Sequence, residues 1–260
     1  MAKQLLISDL DGTLLNDHHQ ISRENKEAID QFIKEGNIFT IATGRMLQAA
    51  LPYINELSIK APVILGNGTQ IFCPKEQKIV WSMVLTEHVE EVHTLWHVVS
   101  KHAVVIAYDA QSIYTPRPHS LIHAYEAKEN VTCLFTEVPP QKINKVLIIG
   151  RELEDAVRFA GVLNEVCIQS DTSYLEILPT GASKGQALYE LLNQMDIEVD
   201  QVIAVGDQMN DCSLLEAADY GYAVENAHPN LKCIATHQTV HHTNHAVASV
   251  IRETNSLLKA

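Results

Sequence analysis

Leu5-Leu6-Ile7-Ser8-Asp9-Leu10-Asp11-Gly12-Thr13 opens the chain with an apolar run that halts at two carboxylates. The run reads as a buried strand, and a glycine and a threonine then turn the chain away. Side chains alternate faces along a strand, so Asp9 and Asp11 would point the same way if the strand continued through them. The C-terminal ends of strands are where open α/β sheets place their sites. Two acids this close repel unless a cation or a shared proton relieves them, so the motif calls for a metal. On its own, an Asp-x-Asp-Gly stretch also describes a solvated turn.

Three later segments repeat the grammar of buried strand, abrupt polar tip and amphipathic helix. The apolar run Ile38-Phe39-Thr40-Ile41-Ala42 ends in Thr43-Gly44-Arg45. Ser183-Lys184-Gly185 opens a helix-like segment, and Val202-Ile203-Ala204-Val205 ends in Gly206-Asp207-Gln208-Met209-Asn210-Asp211. Together the tips supply carboxylates, a hydroxyl, a lysine and an amide, which is the inventory for holding a phosphate and its Mg²⁺.

This set resembles the haloacid dehalogenase superfamily of phosphohydrolases, and within it the Cof-type phosphatases. The resemblance runs nearly end to end: Asp9-Leu10-Asp11-Gly12-Thr13-Leu14-Leu15, Ala42-Thr43-Gly44-Arg45, Asn67-Gly68, Ser183-Lys184-Gly185, the Gly206–Asp211 stretch, and Glu225-Asn226-Ala227. Glu225 is a departure, since the family commonly has glycine there. The resemblance implies an α/β fold: a Rossmann-like core with a parallel sheet plus an inserted α/β cap domain. The periodicity agrees, because residues 1–83 and 182–260 carry every tip. Residues 84–181 change pattern and carry none, as an inserted cap that selects substrate would.

Site roles follow from the same resemblance. Asp9 would attack phosphorus and form an aspartyl-phosphate. Asp11 would protonate the leaving alcohol and later take a proton from water. Asp9, Asp207 and the Asp11 backbone carbonyl would hold Mg²⁺. Thr43 and the Gly44 and Leu10 amides would receive phosphate oxygens, with Lys184 and Asn210 neutralising and donating. Asp211 would orient Lys184 or a metal-bound water. For Arg45, Asn67 and Asp211, support of the site, contact with substrate and simple tying of loops all stay open.

Composition narrows the class. With Lys+Arg 19 against Asp+Glu 32, the formal charge is −13, which disfavours nucleic acid and anionic membrane as partners. No segment reaches the apolar length of a membrane span, and Met1-Ala2-Lys3-Gln4 is not read as a signal peptide. Cys73, Cys133, Cys167, Cys212 and Cys233 form no C-x-x-C pair, so a reduced cytoplasmic enzyme is expected rather than a disulfide or zinc framework. His241, His242 and His245 are read as loop and helix start, with Thr243 and Asn244 as the N-cap. His119 and His123 are candidates for substrate contact.

Along the chain, Ser22 should cap a helix carrying Ala28, Ile29, Phe32 and Ile33 and stopped by Gly36. A helix over 47–57 tolerates Pro52, a strand covers 62–65, and 69–84 reads as a hairpin around Pro74-Lys75-Glu76. In the insert, Thr86 should start a helix with Val92, Leu95, Trp96 and Val99 on one face. Strands are expected over 103–108, 131–136, 145–150 and 174–178, and helices over 120–128 and 153–163. The core resumes through 184–195, with hinges at Ser82-Met83 and Pro179-Thr180-Gly181.

The favoured function is a Mg²⁺-dependent phosphatase of small phosphorylated metabolites, sugar phosphates first. A phosphotransferase or phosphomutase of the same superfamily uses the same motifs, and a bisphosphate activator would reveal it. A phosphoacceptor signalling domain would need less than half the length. A non-catalytic phosphate-binding regulator would release no phosphate from p-nitrophenyl phosphate.

Overall fold

The opening apolar run becomes the middle of a parallel sheet. In the computed structural model, which describes residues 3–161, 167–171, 173–194 and 198–257, β1 (Gln4–Ser8) is buried throughout. A tight turn over Leu10–Leu14 leads to α1 (Arg23–Lys34). Next come β2 (Ile38–Ile41), α2 (Leu47–Glu56), β3 (Val63–Leu65), β4 (Gln70–Cys73) and β5 (Lys78–Ser82). The inserted run holds α3 (Val89–His97), β6 (Ala103–Tyr108), β7 (Ile113–Thr115), α4 (Ser120–Glu129) and β8 (Cys133–Phe135). It continues with β9 (Lys145–Gly150), α5 (Leu153–Ala160), β10 (Ile168–Asp171) and β11 (Tyr174–Ile177). The chain then returns through α6 (Lys184–Gln194), β12 (Gln201–Gly206), α7 (Cys212–Ala217) and β13 (Tyr220–Ala223), and ends in α8 (Pro229–Ile234), β14 (His237–Gln238) and α9 (Ala246–Leu257).

Two units result. The first takes Met1–Gly44, Ala50–Trp81 and Ser183–Ala260; the second takes Arg45–Ala49 and Ser82–Ala182. In the first, parallel strands lie in the order β14-β13-β12-β1-β2. A sheet of this kind is apolar on both faces, and Leu5, Leu6, Ile7, Ile203, Ala204 and Val205 are fully buried. The chain steps from β1 to β2 on one flank and reaches β12 on the other flank only after the insert. The C-terminal end of β1 is therefore the switch point of the strand order, where doubly wound sheets leave a crevice. Ser22 caps α1 by accepting from the Asn25 amide at 3.2 Å. At the far end Gly36 and Asn37 donate back to Ile33 and Phe32, the paired bonds that close many helices. Buried Asn25 donates to Leu14 at 3.2 Å and accepts from the Ala248 amide at 3.0 Å, tying α1 to the opening turn and α9.

The second unit is a six-stranded sheet, β10-β11-β9-β6-β7-β8, antiparallel except where β7 meets β8. Alternation puts Val105, Ala107, Val146 and Ile148 on one face, against Val92, Leu95 and Trp96 of α3 and Ala156 of α5. Val104, Ile106, Tyr108, Leu147 and Ile149 line the other face, with Ile122 and Tyr125 of α4 and with Met46 and Ala49. The class is thus α/β, a parallel core with an inserted α/β unit. No helix among the described residues is long and apolar enough to cross a membrane.

Several expectations are corrected. β1 stops at Ser8, as the halt of the apolar run implies, so the condition for Asp9 and Asp11 to share a face is not met; Asp11 lies in the turn, at φ −75° and ψ 127°. α3 begins at Val89 rather than Thr86, and Val99, expected on its apolar face, is 74% exposed. The chain becomes extended at Val98, where two successive β-branched residues disfavour further helix. Ile33 is exposed, and Asn25 joins Ile29 and Phe32 on the buried face. β7 and β10 were not foreseen: β7 is three residues long and β10 reads Ile-Gln-Ser-Asp, so neither shows a period. α9 starts at Ala246, after a separate turn over His242–Asn244. Residues 162 and 163 of the expected helix, residue 195, and the end of the closing helix at 258–260 lie outside the described residues.

Candidate active site

Asp9 follows the last residue of β1 in extended backbone, with its amide bonded to the Val205 carbonyl at 2.9 Å. This pins the carboxylate at the switch point between β1 and β12. The chain then has to reverse at once, and Gly12, at φ +72°, makes the reversal. A Cβ there would meet Asp207 Oδ2 at 2.4 Å, so the glycine also makes room for a second carboxylate.

Lys184 opens α6 with its side chain fully buried, and its Nζ donates to Asp9 Oδ1 at 2.7 Å and to Asp211 Oδ1 at 2.6 Å. The other Asp211 oxygen accepts from the amides of Asp207 and Gln208 at 2.9 and 3.1 Å. Asp211 therefore both orients the ammonium and closes the loop after β12. Asp207 Oδ1 accepts from Thr13 and Oδ2 from Gln208, each at 3.3 Å. Carboxylate oxygens of Asp9, Asp207 and Asp211 lie within 4.8 Å of one another.

Three carboxylates and one ammonium leave two negative charges in a buried space. Burial, with Asp211 and Asp207 adding to it and Lys184 opposing, holds the Asp9 carboxyl well above the usual range. Burial, then Asp211, lifts Asp207 to about 6 against Lys184, Gln208 and Thr13. Burial works against the Lys184 charge, but Asp211 and Asp9 outweigh it and hold its pKa above the ordinary lysine value. The site is thus short of positive charge, and hard oxygen donors with a deficit of two charges fit a divalent cation such as Mg²⁺. Asp211 has both oxygens held at 2.6–3.1 Å, whereas the donors to Asp207 stand at 3.3 Å, which makes Asp9 and Asp207 the better carboxylate donors.

A second group forms around Asn67, which is buried and has φ 58°. Its amide donates to the Thr43 carbonyl at 3.0 Å, and the Thr43 amide donates to Ile64 at 3.0 Å. Asn210 Nδ2 donates to Asn67 Oδ1 at 2.9 Å, and a Cβ on Gly44 would lie 3.0 Å from that same oxygen. Thr43, Gly44, Asn67 and Asn210 are thereby held in one neighbourhood. Gly68 allows Ser183 to approach, since a Cβ on it would stand 2.1 Å from the Ser183 carbonyl oxygen.

Two further residues named from sequence have these surroundings. Asp11 is outside the converging carboxylates, its side chain 43% exposed and 3.2 Å from His19 Nδ1. Arg45 belongs to the second unit and pairs with Glu129 at 3.1 Å. Of the two histidines considered for substrate contact, His119 caps α4 by accepting from the Leu121 amide, and His123 lies 3.3 Å from Glu126. Sequence reasoning assigned no role to Thr13, Gln208 or Asn226. Asn226 Nδ2 donates to the Gly12 carbonyl at 2.8 Å and fixes the turn. Its place in the Glu225-Asn226-Ala227 stretch was the available signal.

A profile of the haloacid dehalogenase-like hydrolases matches residues 6–251. HMP-PP phosphatase of Klebsiella pneumoniae (strain 342) is 30% identical over 92% of this chain and 90% of that protein. Phosphatase YwpJ of Bacillus subtilis (strain 168) is 28% identical over 96% of this chain and 99% of that protein. The crystal structure of a haloacid dehalogenase-like hydrolase from Bacteroides thetaiotaomicron gives a TM-score of 0.85 at 25% identity, covering 97% of this chain and 99% of that one.

Proposed function

The chain belongs to the haloacid dehalogenase-like hydrolases, and from that premise we propose a Mg²⁺-dependent phosphatase of small phosphorylated metabolites that works through an aspartyl-phosphate on Asp9. The observation that carries this reading is the fully buried Lys184 ammonium, 2.7 Å from Asp9 and 2.6 Å from Asp211, at the tip of β1. A carboxylate held in one orientation against an ammonium is a positioned nucleophile.

Asp9 attacks phosphorus as the bond to the alcohol oxygen breaks, and Asp11 gives that oxygen its proton. Asp11 then takes a proton from the water that cleaves the acyl phosphate and frees Asp9. Lys184 offsets charge on Asp9 and on the transferring group, while Thr43, Asn210 and the Leu10 and Gly44 amides donate to phosphoryl oxygens. Asp9, Asp207 and the Asp11 carbonyl would hold Mg²⁺. When bound, the ion supplies charge neutralisation and a fixed template for the phosphoryl oxygens.

Sugar phosphates are the proposed first substrates, with residues 84–181 acting as the cap that selects among them. Preference should be broad, because the recognisable residues of the core all address the phosphoryl group. Five unpaired cysteines suit a reducing compartment, the cytoplasm. A phosphate-release screen across phosphorylated metabolites, with Mg²⁺ and with chelator, tests the reading. Turnover of several sugar phosphates with Mg²⁺ alone is expected. Full turnover in chelator would overturn the metal, and one substrate favoured by orders of magnitude would overturn the breadth.

A further inference from the structure

Asp11 stands at the rim of the site rather than inside the buried cluster, and there His19 Nδ1 lies 3.2 Å from Asp11 Oδ1. Which atom carries the proton follows the imidazole tautomer: Nδ1 donates to an ionised Asp11 carboxylate and accepts from the protonated carboxyl that serves the leaving group.

The loop carrying His19 is built to bring it back over the turn. Leu15 and Ile21 form an antiparallel bridge. Inside it the Asn16 amide donates to Gln20 at 3.0 Å and the His19 amide to Asn16 at 2.9 Å. The Asn16 side-chain oxygen accepts from the amides of His18 and Gln20 at 2.9 and 3.0 Å. Tyr53 donates its hydroxyl to the His19 carbonyl at 3.2 Å, and His242 Nδ1 lies 2.8 Å from the Leu15 carbonyl. His19 itself is left-handed, at φ 54°. A glycine or an asparagine would make this turn with less strain, so the turn alone does not call for an imidazole.

In-line phosphoryl transfer sets the entering and leaving oxygens on opposite sides of phosphorus. An acid that serves the leaving oxygen therefore cannot share the pocket of the nucleophile, and a carboxylate drifting among Asp9, Asp207 and Asp211 would be useless as that acid. We infer that His19 is a positioning residue that holds the Asp11 carboxylate on the leaving-group side of the site, which rests on the phosphatase reading above. His19 acts through Asp11, and its effect belongs to the chemical step rather than to phosphate or metal binding.

The test compares His19→Gly, which removes the imidazole and keeps the backbone, with His19→Asn, which tolerates φ above zero and offers a donor near the Nδ1 position. His19→Ala repeats the deletion at a different backbone cost. Steady-state kinetics are measured with Mg²⁺ on p-nitrophenyl phosphate and on a sugar phosphate that the unaltered protein hydrolyses. The deletion should lower kcat on the sugar phosphate by about 10- to 100-fold, less than the roughly 10²–10⁴-fold that general acid–base assistance supplies. KM should change little, the loss on p-nitrophenyl phosphate should be several times smaller, and His19→Asn should recover most of it. Equal losses on both substrates, a change confined to KM, or no rescue by asparagine overturns the role of His19 and leaves the phosphatase reading standing. Absence of Mg²⁺-dependent phosphate release by the unaltered protein overturns both.

Discussion

Replacing Asp207 by asparagine should stabilise the metal-free protein at neutral pH and abolish its gain in stability from Mg²⁺. Among the described residues, the buried Asp207 carboxylate accepts from Thr13 and Gln208, each at 3.3 Å. Burial, then Asp211, raises its pKa from 3.8 to about 6. Between those values the folded protein holds a proton that the unfolded chain has lost, so the free energy of unfolding falls as pH rises from about 4 to about 6. At about 1.36 kcal/mol per pH unit, the penalty above pH 7 is about 3 kcal/mol. Asp9 is shifted in the same direction, so the midpoint seen in solution belongs to the coupled pair. A bound cation replaces the proton, so stabilisation by Mg²⁺ should grow as pH rises through about 6 and then level off. Urea unfolding at several pH values, in chelator and in Mg²⁺, reads both effects. Asp207→Asn should be more stable than the unaltered protein at pH 7.5 in chelator and should gain nothing from Mg²⁺. A less stable variant in chelator, or equal Mg²⁺ increments in the two proteins, would refute the reasoning.

Lys184→Met leaves Asp9 and Asp211 buried without their cation. It should abolish turnover and lower stability by about 3–5 kcal/mol at pH 8, with much of that loss recovered at pH 5, as denaturant melts at the two pH values would record. Asp9→Asn should form no phosphoenzyme. Asp11→Asn should still fold and bind Mg²⁺ but lose roughly 10²–10⁴-fold in turnover, with a smaller loss on p-nitrophenyl phosphate than on a sugar phosphate, checked by single-turnover rates. Gly12→Ala drives a Cβ to 2.4 Å from Asp207 Oδ2 at a φ of +72°. It should cost about 1–3 kcal/mol and weaken Mg²⁺ binding in a calorimetric titration.

The core could be read because parallel strands are buried on both faces, so Leu5–Ile7 and Val202–Val205 stand out as unbroken apolar runs ending in polar tips. Strands of the insert could be read where they too are continuous apolar runs of several residues, as at 103–108 and 145–150. β7 and β10 are too short or too polar to show a period. The residues at the tips were legible as a set of donors and charges, but their division of labour was not. Only the fold reveals that Asp211 spends both oxygens on Lys184 and the Asp207 loop, or that Asn67 links Thr43 to Asn210. Asp11 shows the limit most clearly. Alternation would give it the direction of Asp9 only in a continued strand, and the turn at Gly12 leaves it at the rim beside His19. Nothing in the spacing of Asp11 and His19 announces that contact.

Acid quenching during turnover reads whether Asp9 is the nucleophile. Protein mixed with Mg²⁺ and a substrate labelled in its phosphoryl group is quenched during turnover, digested, and its labelled peptide identified. A hydroxylamine-labile acyl phosphate is expected on the peptide containing Asp9, absent from Asp9→Asn and absent in chelator. Label on any other residue, or label retained in Asp9→Asn, would contradict it.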